Sequence, residues 1–141
     1  MNLPACAVGR LSEGGPWVGF APAMDDAYVL VVGGTASGSR QSEADADDLV
    51  SLAIAYFEDA LVEPPEELAA TLADIGSLVR HVAEREADDE RRRLLGEAVD
   101  AVDDGLAADV VVGRLNRCLR EGEEPIARLT RRALGLVRAR A

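Results

Sequence analysis

The chain has 141 residues, 48% of them hydrophobic and 29% charged, which suits one folded domain and excludes a wholly disordered polymer. A net charge of -11 repels nucleic acid and anionic membrane, so neither is an expected partner. With one histidine and two cysteines, Cys6 and Cys118, most metal and imidazole chemistry is poorly supplied, and we expect no metal and no cofactor.

Up to residue 42 the sequence is short, glycine-punctuated and β-like. Ala5 to Leu11 and Trp17 to Ala21 have strand character on either side of Ser12-Glu13-Gly14-Gly15-Pro16, the pattern of a hairpin. Pro22 to Asp26 marks a second turn. Ala27 to Val32 is a continuous apolar, β-branched run suited to a central strand, so three antiparallel strands are expected.

From Glu43 the apolar period becomes helical. Val50, Ile54, Phe57 and Leu61 fall on one stripe, and Ser42 with Asp45 suits the helix start. Pro64-Pro65 ends this helix and, with Glu66-Glu67, predicts the start of a second that carries Leu68, Leu72, Ile75, Val79 and Val82 on one face. Asp88-Asp89-Glu90 opens a third, with Leu94, Leu95, Ala98, Val99 and Val102 inward and Gly105 as its stop. A fourth from about Asp109 turns Val111, Leu115, Cys118 and Leu119 inward, with Gly122 breaking it, and Pro125 opens a fifth with Ile126, Leu129, Ala133, Leu136 and Val137 together. The expected fold class is α+β: a short N-terminal antiparallel β-meander of about three strands followed by about five amphipathic helices. Residues 1–141 are expected to form a single domain, β-rich over 1–42 and helical over 43–141. So many apolar-striped helices with so few aromatic side chains predict a homodimer.

Val32-Gly33-Gly34-Thr35-Ala36-Ser37-Gly38-Ser39-Arg40 follows a strand and, on this reading, precedes a helix, where backbone amides can cradle a phosphate. Gly33 and Gly38 match the glycine spacing of the nucleotide-binding P-loop. Ser39 stands where that motif needs lysine, and Arg40 is displaced by one. Gly33, Gly34, Ser37, Gly38, Ser39 and Arg40 are therefore a weak ligand-binding candidate, against the plainer reading of a small-residue connection. His81 lies off its helix's apolar stripe and reads as solvent-facing, so no catalytic residue is assigned.

Charge is unevenly distributed. Residues 43–109 carry five Arg and twenty acids, a net of -15, whereas residues 110–141 carry eight Arg and three acids, a net of +5. On the last helix Arg128, Arg131, Arg132 and Arg138 gather opposite the apolar stripe. They are candidates for partner binding, or they pair internally with the acidic segment.

No apolar run approaches the roughly 20 residues of a membrane span, and the N-terminus lacks the pattern of a secretion signal. Cys6 and Cys118 read as reduced thiols, and a cytoplasmic location is expected. The leading functional expectation is a small acidic cytoplasmic accessory or regulatory protein that binds another protein without catalysis. The alternative is a small-ligand or nucleotide-handling enzyme built on the Gly33–Ser42 loop; a lesser one is a chaperone or antitoxin-like neutraliser of a basic partner.

Overall fold

Alternating side chains near the N-terminus build a four-stranded antiparallel sheet: β1 (Cys6–Arg10), β2 (Trp17–Pro22), β3 (Tyr28–Thr35) and β4 (Gly38–Glu43), in that spatial order. The computed structural model describes residues 5–23, 27–35, 38–119 and 124–138. Val8, Val18, Phe20, Leu30 and Val32 face the helices, while Ala7, Trp17, Ala21 and Val31 form a smaller cluster on the opposite face. The sheet is thus apolar on both sides, as the continuous run in β3 implies.

The fourth strand corrects the expectation of three. The chain does not pass from β3 directly into a helix. It turns where Gly34 (φ 75°) and Gly38 (φ 89°) take backbone conformations that disfavour a Cβ, and returns as Gly-Ser-Arg-Gln-Ser-Glu. This strand has no β-branched or aromatic residue; its conformation is set by pairing to β3, with Val32 opposite Arg40, Val31 opposite Gln41 and Leu30 opposite Ser42.

Five helices follow: α1 (Ala46–Glu58), α2 (Leu72–Arg85), α3 (Asp89–Asp103), α4 (Ala108–Asn116) and α5 (Pro125–Arg138). Asp45 caps α1, in a reciprocal capping box with Asp48 rather than the pairing of Ser42 with Asp45. Residues 48 to 55 are all buried, so α1 is enclosed on every side over two turns instead of presenting a single stripe. It packs against α2, α4, α5 and β1. Leu52 and Ile54 are fully buried, each contributing about 1.5 to 3 kcal/mol relative to an exposed side chain.

The second helix begins later than Pro64-Pro65 predicts. Residues 61–70 are drawn along the outer edge of β1: the Arg10 amide donates to the Val62 carbonyl at 2.8 Å, Val62 to Arg10 at 3.0 Å, and Ala70 to Ala7 at 2.9 Å. Those sheet-edge hydrogen bonds compete with a helix, so only a 3-10 turn forms at Glu66–Leu68. α2 opens at Leu72, where Thr71 and Asp74 make a second capping box. Asp88 caps α3, and Gly105 (φ 68°) follows its end. Among the described residues no helix is long and apolar enough to cross a membrane.

Candidate functional site

Three places combine polar groups with accessible surface: the outer edge of β4, the seam between α1 and α5, and a cleft at Tyr28 and His81.

The β4 edge contains most of the residues singled out as a ligand loop. Gly33 is buried, and a Cβ there would stand 2.2 Å from Trp17 Cζ2, so this glycine lets the indole lie against the β3 backbone. Gly34, Gly38 and Ser39 are exposed and Arg40 is half-buried; Ser37 lies outside the described residues. The strand-to-helix turn of a phosphate cradle is replaced by a strand-to-strand hairpin, because α1 starts only after β4. The two edges of the sheet differ. β1 is covered by residues 61–70, whereas no strand among the described residues pairs with the outer side of β4. Along β4, Arg40 and Ser42 are half-buried, and Gly38, Ser39, Gln41 and Glu43 are exposed.

The seam is a charge network. Asp48, 2% exposed, accepts from Arg128 Nε at 2.9 Å, and its other oxygen lies 3.3 Å from an Arg132 terminal nitrogen. Arg128 also reaches Asp45 at 3.1 Å, and Arg132 donates to the Glu43 carbonyl at 2.7 Å. Burial works against the charge of Arg128, yet hydrogen bonding to Asp48 and the charges of Asp48, Asp45 and Asp47 raise its pKa. A buried cation, Arg91, bonds Asp47, with Glu86 Oε2 at 3.5 Å from its Nε, and ties the start of α3 to α1. Of the four candidate partner-binding arginines, Arg128 and Arg132 are thus turned into the molecule, while Arg131 and Arg138 occupy exposed positions. A cavity of about 300 Å³ lies in the seam, lined by Glu43, Ala44, Asp45, Asp48, Arg128 and Arg132.

At the cleft, Tyr28 meets Phe20 edge-on at 5.6 Å and His81 edge-on at 4.6 Å between ring centroids. His81 is therefore half-buried against an aromatic ring, and the solvent-facing reading is corrected. The partner ring comes from the sheet, so no helical spacing could have revealed it. Two adjoining cavities of about 180 and 350 Å³ share Ala27, Tyr28, His81 and Arg85. Burial, then Asp74, raises the pKa of nearby Cys6, and burial, then Cys6 and Asp74, raises that of Tyr28. Burial pushes the Cys118 thiol up to about 11. All three groups hold their protons at neutral pH, the opposite of an activated nucleophile. Among the described residues no group of three or more His, Cys, Asp or Glu side chains is placed to hold a metal ion.

Comparison with protein-family models, curated proteins and solved structures finds no match to this chain.

Proposed function

We propose that this is a small acidic cytoplasmic accessory protein that works by binding another protein, with the outer edge of β4 as its docking surface. One observation carries the reading: the sheet closes one edge with residues 61–70, whereas on the other no strand among the described residues pairs with the outer side of β4, where Ser39 and Gln41 are exposed. An open edge can accept a strand from a partner, the main chain supplying affinity and alternate side chains supplying selectivity. A second copy can pair there about a two-fold axis, which is how the homodimer expected from composition would form. Protonated thiols and phenol support binding over nucleophilic catalysis.

Lysines on the exposed face of an edge strand block strand addition while leaving the fold intact. Ser39→Lys/Gln41→Lys in the full chain should therefore abolish co-purification of the native partner, or convert a dimer to the 14.9 kDa monomer in light scattering. Its unfolding free energy should stay within about 0.5 kcal/mol of the unmodified protein, as expected for exposed substitutions. Unchanged partner recovery and unchanged mass in the double-lysine protein would rule the edge out.

A further inference from the structure

The α1–α5 seam has the features of an occupied docking groove. Only two of the fourteen residues of α5, Leu129 and Ala133, are buried; Ile126, Leu136 and Val137 pack half-buried against the core, and Arg128 and Arg132 add the ionic contacts to α1. The join is imperfect. A polar cavity of about 300 Å³ opens to solvent along it, and Arg132 Nε is buried with no acceptor among the described residues, a donor that regains water if the helix leaves. The receiving side is also held by elements other than α5. Asp45 and Asp48 are held by their own capping box, and α1 is fixed by α2, α4, β1 and the Arg91–Asp47 pair.

We propose that α5 is an internal stand-in for a basic amphipathic helix of another protein, which takes the same groove when α5 is displaced. The seated α5 supplies the recognition pattern: two arginines one turn apart, Arg128 and Arg132, each followed by a small or aliphatic residue, Leu129 and Ala133. The cations meet Asp45 and Asp48 while the apolar pair enters the core. The acidic groove selects against a neutral or anionic helix, because leaving Asp48 without its cations is unfavourable. α5 is then an autoinhibitory contact, and the affinity of any incoming helix is scaled by the fraction of molecules in which the groove is open. This surface adjoins the C-terminal end of β4, where Arg132 bonds Ser42 and the Glu43 carbonyl, but it does not use Ser39 or Gln41 and does not rest on that reading.

The probe is a fluorescein-labelled peptide of residues 124–138, titrated by anisotropy into the full chain. Weakening the internal competitor should help it: Arg128→Gln/Arg132→Gln should bind the peptide roughly tenfold more tightly than the unmodified protein. Adding Asp48→Asn to that variant should remove most of the gain. A scrambled peptide of the same composition should bind neither. Equal affinity for the first two proteins, or equal binding of the scrambled peptide, overturns the proposal. Hydrogen exchange on the unmodified chain gives a measurement free of substitutions: α5 amides should exchange by local opening, well ahead of those in α1. Exchange of α5 only on global unfolding overturns it. If the arginine variant ignores the peptide and instead gains mass with concentration, the occupant is α5 of a second copy and the partner assignment is wrong.

Discussion

Arg128 and Asp48 are eighty residues apart in the chain and meet at 2.9 Å, joining the basic C-terminal segment to the most enclosed acidic side chain of α1. The pair explains how a chain of net charge -11 keeps an arginine-rich helix against its body. Part of the uneven charge seen in the sequence is used internally, through Arg128 and Arg132, and Asp45 and Asp48 serve both as a helix cap and as the receptor for α5.

Arg128→Gln/Arg132→Gln should lower stability by about 1 to 3 kcal/mol at low salt, because Asp48 loses its charge partners while still largely buried. The loss should shrink near 1 M salt, where the Debye length is about 3 Å and the exposed Asp45 arm of the network is screened. Urea unfolding at both salt concentrations measures this. Equal losses in the two conditions would mean that packing of the arginine stems, rather than charge, holds the helix.

Gly33→Ala should destabilise the fold by about 1 to 3 kcal/mol, since the added Cβ falls inside the indole of Trp17 and neither β3 nor the buried ring can move freely. Trp17 fluorescence and near-ultraviolet circular dichroism report the displacement. Undisturbed spectra with a wild-type unfolding midpoint would show that the close approach is readily relieved. This separates a packing glycine from a ligand-loop glycine, as the effect needs no ligand.

Stability should decline above about pH 9. The Cys118 thiol has a folded-state pKa of about 11 against an ordinary 9.0, so the fold favours its protonated form. That contribution is fully present below the lower value and is lost as pH rises through the higher one; it amounts to at most about 3 kcal/mol. Cys6 and Tyr28, both raised, act in the same direction. Cys118→Ala, compared by denaturation at pH 8 and near pH 11, should show a shallower decline than the unmodified chain, whatever its absolute stability. Parallel declines would show that the thiol does not titrate as described.

Helix number and inward stripes are legible because they are local. Ile75, Val79 and Val82 on α2, and Leu95 and Ala98 on α3, are buried as their spacing requires, and Pro125 opens α5. What the sequence hides depends on distant chain. β4 lacks strand composition and exists because β3 lies beside it. Pro65-Glu66-Glu67 has a helix-start pattern that loses to hydrogen bonds with β1. The amphipathic stripe of α1 is real, but sheet and helices enclose the remaining faces as well. For the candidate sites, the charge imbalance was visible, whereas the inward turn of Arg128 and Arg132 required knowing that α5 lies along the start of α1.

A double-mutant cycle on Arg128→Gln and Asp48→Asn, read by urea unfolding at low salt, measures the coupling of α5 to α1 directly. With α5 docked through this pair, the two single variants should each be destabilised and the double variant should lose less than their sum, by about 1 to 3 kcal/mol. Additive losses, within about 0.5 kcal/mol, would contradict the account and place the working contacts of Arg128 elsewhere.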